Sequence, residues 1–568
     1  MLAPLLLAVT INWTGWNDAV FAQAKREHKF VLLDLQAVWC HWCHVMDEMT
    51  YADPKVIALM KARYIAVKVD QDSRPDLANR YEDYGWPATI VFNADGSEIV
   101  KRRGYIPPKE MQSMLQAIID DPSPGPSVVP APKIQFGNDS LLSDALRKQL
   151  EQIHRDTYDA KNGGWGSTHK YLDAYSVEYA LARARGGDAA NRKMARQTLD
   201  GERNLVDPAW GGVYQYSTGG VWSEPHYEKI MEMQAGNLRA AAQAYALWGD
   251  PKDLATAQSI RRYLDTFLRS PAGAFYTSQD ADLVDGEHSA EYFALSDAAR
   301  RAKGIPRIDK HSYARENGWA AEALTELAMA SGDRSALDEA RMAMKWVYAH
   351  RRRADGGFNH GAESTTPYLG DTLAVGRAEL AFYAATGERL WLGRAQQAAA
   401  FIEKTFRGNP GYLTTRAAGM MPPSHQRDEN IDVARFANLL HHYDGDPKHL
   451  AMAKNAMRYL AAELVAKEWP VGGVLLADLE MRGEPLHVTV VGAKHDAAAR
   501  SLFEAAGRIP IAFKQLEWFD RAEGPLPNAK VEYPELKRPA AFLCSANRCS
   551  RPAFTAAELQ SLVARLER

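Results

Sequence analysis

Cysteine is scarce: four residues in 568, falling in two close pairs, Cys40 with Cys43 and Cys544 with Cys549. A scaffold stapled by disulfides is therefore excluded. No apolar run approaches the roughly 18 residues that a membrane-spanning helix needs, so no transmembrane segment is expected. An excess of one charge is also missing. The 68 Lys and Arg stand against 71 Asp and Glu, for a formal charge of −3, with no basic block. Nucleic acid has no electrostatic footprint here and is not expected as a partner. At the N-terminus, Leu2–Val9 is apolar but short and has no basic start. It reads either as the end of a signal-type region, placing the protein in the periplasm or outside the cell, or as an ordinary arm of a cytoplasmic protein.

What is present begins with Trp39-Cys40-His41-Trp42-Cys43-His44. Two cysteines spaced this way close a disulfide across the first turn of a helix, or form half of a zinc site. The short apolar run Phe30–Leu35 before them and the helix-forming residues His44–Met49 after them favour the redox arrangement. At a helix N-terminus the backbone amides favour a thiolate, which makes Cys40 the nucleophile and Cys43 the resolving thiol. No metal or cofactor is expected.

This stretch resembles the thioredoxin superfamily. Trp39 precedes the first cysteine, Asp34 lies six residues before it, and Pro87 stands in Gly85-Trp86-Pro87-Ala88-Thr89-Ile90 before a strand. The resemblance implies that Asp34 is a buried acid moving protons to and from Cys43, and that Pro87 is cis and packs against the disulfide. The dipeptide between the cysteines, His41-Trp42, departs from the family's Gly-Pro. A histidine cation there would stabilise the thiolate and make the disulfide more oxidising.

In order along the chain, residues 13–121 read as an α/β domain, with Asp53 capping a helix that starts at Pro54. Five prolines between 122 and 133 make a linker. From 134 to 485 the texture is helical, punctuated by Gly163-Gly164-Trp165, Gly211-Gly212-Val213, Gly273-Ala274-Phe275, Gly356-Gly357-Phe358, Pro410-Gly411-Tyr412 and Gly472-Gly473-Val474. Six such marks predict six helical hairpins closing into an all-α (α/α)6 toroid, or else unrelated turns in an open helical array. Residues 486–568 read as a small α/β appendage. There Cys544 and Cys549 are expected to form a disulfide or a relay partner for the first pair, not a zinc site.

In a toroid the loops at one end surround a funnel, where polar clusters converge. His226, Glu228, Asp280 and Asp282 are the candidates for acid–base work there. Trp165, Trp222, Lys229, Tyr276, Asn317, Trp319 and Asp371 are the candidates for substrate contact. Over residues 13–568 the chain resembles the spermatogenesis-associated protein 20 family. The resemblance rests on Trp39–Met46, Lys68–Asp70, Arg74–Asp76, Gly85–Pro87, Pro225–Lys229, Ser278–Asp282, Cys544 and Cys549–Pro552. It implies a thioredoxin-like domain fused to an (α/α)6 barrel of the six-hairpin glycosidase type. Glu316-Asn317-Gly318 and Thr168–Leu172 depart from the family pattern. The implied function is thiol–disulfide exchange with a protein partner, joined to a barrel that binds, hydrolyses or epimerises a sugar. The alternative is a non-catalytic protein whose barrel holds a client for the redox domain; such a surface would be apolar and Met-rich.

Overall fold

The computed structural model describes residues 10–130, 132–416, 419–529, 531–545 and 548–566; the apolar stretch Leu2–Val9 lies outside them. The chain forms two compact units. The first takes the residues up to Lys133 together with Ser278–Asp309 and Arg416–Ser424, and the second takes the rest. A linear reading assigns both inserted segments to the toroid.

The first unit is built on one sheet. Its strands are β1 (Trp13–Thr14), β2 (Phe30–Gln36), β3 (Tyr64–Asp70), β4 (Ala88–Phe92) and β5 (Glu98–Arg103), in the order β1-β3-β2-β4-β5. β2 pairs parallel with β3 and antiparallel with β4. Both sheet faces are covered, so β2 reads as a near-continuous apolar run. Val31, Leu33 and Leu35 meet Phe21, Leu77 and Tyr81 on one face, and Leu32 meets Met46, Met60 and Leu115 on the other. Each such side chain contributes about 1.5–3 kcal/mol of burial. Asp34 is the polar interruption of this run. Its register puts Lys68 of β3 on one side and Thr89 of β4 on the other. Asp53 caps the helix Pro54–Arg63 by accepting from Lys55 and Val56, as expected.

In the second unit six helices pack in sequence, each on the next and the last on the first: Ala174–Arg185, Met231–Trp248, Ala314–Ser331, Leu369–Thr386, Arg427–Asp444 and Gly472–Arg482. Six more form an outer layer: Asp144–Asp156, Ala189–Glu202, Pro251–Tyr263, Arg334–His350, Arg389–Phe406 and Pro447–Leu460. This is the closed toroid, and the open array is excluded by the contact between the first and last inner helices. The hairpins carry a second punctuation mark. Four inner helices end on a left-handed glycine (Gly249, Gly332, Gly387, Gly445), and an acidic residue immediately after it opens the outer helix. A strand Leu486–Val491, flanked by Lys514–Phe519 and Ala540–Ser545, forms the appendage, in which Cys544 and Cys549 are disulfide-bonded.

The Gly-aromatic marks are turns held by one residue of the inner helix that follows. Gln234 bonds both the N–H and the C=O of Val213 at 2.8 and 2.6 Å. Asn317 does the same for Phe275 at 2.7 and 3.1 Å, and Asn430 for Tyr412 at 2.7 and 2.9 Å. All three are the fourth residue of their helix. Truncation leaves two buried backbone groups unpaired, at about 1–3 kcal/mol each. Asn317→Ala is therefore expected to destabilise the barrel by about 2–4 kcal/mol, read as a lower urea midpoint. An unchanged midpoint would show that the brace carries nothing. Gly472-Gly473 is a correction to the predicted set: these two residues begin the last inner helix instead of forming a turn. A Cβ on Gly472 would lie 2.5 Å from the Ser176 Cα, so glycine is required by close helix packing.

Candidate active site

Cys40 is the N-cap of the helix His41–Val45, with its Sγ accepting from the Cys43 N–H at 3.2 Å. The two cysteines are joined in a disulfide and both are buried. The helix continues into a π-type turn over Met46–Thr50. Trp39 is buried and donates from Nε1 to Asp72 at 2.8 Å, which fixes the approach to the motif. The Trp86–Pro87 bond is cis. Trp42, between the cysteines, is 41% exposed and lies over Tyr105, so it is the part of the motif that faces solvent.

Asp34 is 1% exposed, with the Lys68 ammonium 3.5 Å from one of its oxygens. Burial pushes its carboxyl up to about 7, against a smaller downward pull from Lys68. Lys68 also pairs with Asp47 at 2.5 Å and sits 4.6 Å from the Trp13 ring centre.

The two histidines of the motif are buried, and both turn to the inserted segment Ser278–Asp309. Asp282 accepts from His41 Nδ1 at 2.7 Å on one oxygen and from His44 Nδ1 at 3.0 Å on the other. Arg307 donates to the Val38 carbonyl and to Asp280 at 3.0 and 2.9 Å, and its guanidinium lies 3.0 Å from His44 Nε2, which is itself 3.2 Å from the Val38 carbonyl. Burial alone would lower the His44 pKa, but the Asp282 hydrogen bond and the charges of Asp280 and Asp285 raise it. Burial raises Asp280 to about 6, while the hydrogen bonds from His41 and His44 overcome burial and hold Asp282 down at about 2. His44, Asp280 and Asp285 offer atoms within 4.8 Å of one another that could bind a cation. Arg307 stands among them and already supplies the positive charge.

Asp280 and Asp282, expected as acid–base groups, commit their carboxylates to His41, His44 and Arg307. His226 and Glu228 lie in the second unit, where the His226 ring stacks on Tyr216 at 4.3 Å and Glu228 is buried. Most of the expected substrate contacts hold the barrel's turns together. Lys229 is fully buried and donates to Asp207 at 2.7 Å and to the Gly211 carbonyl at 2.8 Å. Trp165 and Trp222 are buried and donate to the His154 and Asn162 carbonyls. Asp371 is buried and accepts from the Arg315 N–H and from His360. Asn317 is the brace described above. Only Tyr276 and Trp319 of this set are part-exposed, and the Arg315 guanidinium lies 4.7 Å from the Trp319 ring centre.

Sequence reasoning missed the residues that do converge at the start of the inner helices. Tyr175, Glu232, Arg315 and Asp428 are each the second residue of an inner helix. Glu232 is solvent-accessible, yet its surroundings still raise its pKa, chiefly by desolvation, with Arg315 opposing and Asp428 and Glu316 adding to the rise. Asp173 is raised to about 6 in the same place. Seven residues further along the same helices, Arg239, Glu322 and Arg435 reverse the signs and, with Glu178, Arg377 and Glu480, form a belt of ion pairs across the ring. Beyond the belt lies a cavity of about 560 Å³, lined by Leu181, Leu380, Phe436, Ile511 and Lys514 among others.

Residues 6–120 match the family model Thioredox_DsbH, described as "Protein of unknown function, DUF255". A thioredoxin of Mycoplasmoides gallisepticum is 31% identical over 100 residues, 18% of this chain and 95% of that protein. The chain belongs to the thioredoxin family through its first unit. Spermatogenesis-associated protein 20 of Homo sapiens is 25% identical over 307 residues, which is 48% of this chain and 39% of that protein. The expected resemblance is thus present, and the matched stretch takes in about half of this chain and about two fifths of that relative's length. A solved D-mannose isomerase superposes with a TM-score of 0.46 at 13% identity, covering 60% of this chain and 96% of that one.

Proposed function

We propose that the protein is a thiol–disulfide oxidoreductase in which Cys40 exchanges disulfides with a protein partner. The observation that carries this reading is the Cys40–Cys43 disulfide at a helix start, with Asp34 buried on the central strand. In the reduced protein the Cys40 thiolate attacks one sulfur of a client disulfide. A mixed disulfide forms and the other client sulfur leaves as a thiolate, which takes up a proton. Cys43 then loses its proton, attacks Cys40 Sγ and releases the second client thiolate. The protein ends oxidised and the client reduced by the same two electrons; the reverse sequence oxidises a client dithiol. Asp34, with a pKa near the working pH, is suited to take the Cys43 proton. Trapping of the mixed disulfide by Cys43→Ser tests the reading.

For the barrel, the funnel supports a hydroxyl-rich ligand of sugar type. Its mouth mixes the aromatic faces of Tyr175 and Trp319 with the carboxylates of Glu232 and Asp428 and the guanidinium of Arg315, which is unlike the apolar, Met-rich surface that would hold an unfolded client. Calorimetric titration with mono- and disaccharides is expected to detect binding that Glu232→Gln weakens at least about tenfold, the loss of one charge-assisted hydrogen bond. Failure of every sugar at millimolar concentration would refute this part and leave the exchange reading untouched.

A further inference from the structure

We propose that Asp282 is a positioning residue of the redox motif, acting on Cys40 and Cys43 through the two histidines whose Nδ1–H groups it receives. The inference rests on the exchange reading above and adds to it a residue more than two hundred positions away in sequence.

Asp282 is 2% exposed, and each of its oxygens is engaged. One takes His41 at 2.7 Å; the other takes His44 at 3.0 Å and the Gly286 N–H at 2.9 Å. An ionised carboxylate only accepts, so both rings must present Nδ1–H to it, and their tautomers and ring planes are set together. His41 lies between the cysteines and His44 follows the second. One anion therefore orients both imidazoles of the motif.

The segment holding this anion is itself stitched down. The Asp282 N–H donates to Asp280 at 3.0 Å, and the Asp280 N–H donates to the Arg307 carbonyl at 2.8 Å. Arg307 reaches back to Val38 just before the motif. A surface ion pair would be mobile and worth little, but a buried carboxylate shared by two rings and a backbone amide has one geometry. The charged and titratable groups facing the two rings are Asp280, Asp282, Asp285, His288 and Arg307 of the inserted segment, together with the rings themselves on the helix. Among these, Asp282 is the group that contacts both rings. Its loss removes the anion that orients both rings beside the cysteines without removing a sulfur or a histidine.

The test uses the reduced full-length chain and iodoacetamide, which needs no client. The rate of Cys40 alkylation is followed against pH, with the labelled cysteine identified by peptide mass. In Asp282→Asn the midpoint of the profile is expected to move by at least about one pH unit, a tenfold change in thiolate fraction at pH values well below both midpoints. The move should vanish when Asp282→Asn is combined with His41→Asn and His44→Asn, because Asp282 acts through those rings. An unmoved midpoint, or an equal move in the histidine-free background, overturns the proposal. If Asp282→Asn does not fold, the wild type decides. Two downfield imidazole Nδ1–H proton resonances are expected, and their absence overturns the proposal equally. A wild type whose Cys43→Ser variant traps no partner would remove the exchange reading but leave the alkylation profile valid, so the two failures are separable.

Discussion

Replacing Cys43 by serine is expected to leave the protein covalently joined to its thiol partners, and replacing Cys40 to leave no adduct at all. The asymmetry follows from position. Cys40 is the N-cap, where its sulfur receives the Cys43 N–H and the positive end of the helix. An ordinary cysteine, with a pKa near 8.5, is only about 3% thiolate at pH 7. A sulfur held largely as thiolate can therefore react up to about 30-fold faster before intrinsic nucleophilicity is counted, which falls somewhat with the pKa. Cys43 sits one turn in and is buried, so its role falls in the second step, attack on the Cys40 sulfur of the mixed disulfide. In Cys43→Ser the first exchange proceeds and the second cannot, so mixed disulfides accumulate and multiple turnover is lost, at least about a hundredfold. Non-reducing electrophoresis with mass identification of the adducts measures this. Equal trapping by both variants would reverse or abolish the assignment.

The parts of this molecule that are local in sequence were legible there. The Asp53 cap depends on a few neighbouring residues and has one physical reading; the Cys-x-x-Cys spacing left redox and zinc open until its flanks were read, and the cis Pro87 was implied by the thioredoxin resemblance. The toroid was legible because its turns repeat, and the left-handed glycines followed by acidic caps would have strengthened the count. Other features were not legible. A pair of alternating aspartates looks the same whether it faces a sugar or an imidazole, and nothing near Asp282 announces that residues 278–309 fold with the first unit. The same ambiguity hid the braces. Asn317 in a polar stretch reads as a ligand contact until its two bonds to Phe275 are seen. The funnel residues Glu232, Arg315 and Asp428 were hidden for another reason: their common position in each helix shows only once the helix starts are known.

Asp34 carries the second large effect, and its sign is opposite to that of an ordinary salt-bridged carboxylate. Its folded pKa is about 7 against an unfolded 3.8, because burial opposes the charge more than Lys68 supports it. The folded state then binds the proton more tightly than the unfolded one. Stability falls as the pH rises from about 4 to about 7, and above 7 the buried charge exacts its full cost. Three pH units correspond to about 4 kcal/mol as an upper bound. Asp34→Asn cannot ionise, and it leaves Lys68 its partner Asp47. The variant is expected to be more stable than the wild type by about 2–4 kcal/mol at pH 8 and nearly equal to it at pH 4, read as urea midpoints across that range. Resolution of the mixed disulfide should slow by about a hundredfold, since removing a positioned general base costs at least that much. Both outcomes together would make the buried charge that weakens the fold the group that makes the second thiol usable. A variant equally stabilised at both pH values would mean that Asp34 does not titrate near neutrality, and full exchange activity in it would remove Asp34 from the proton path.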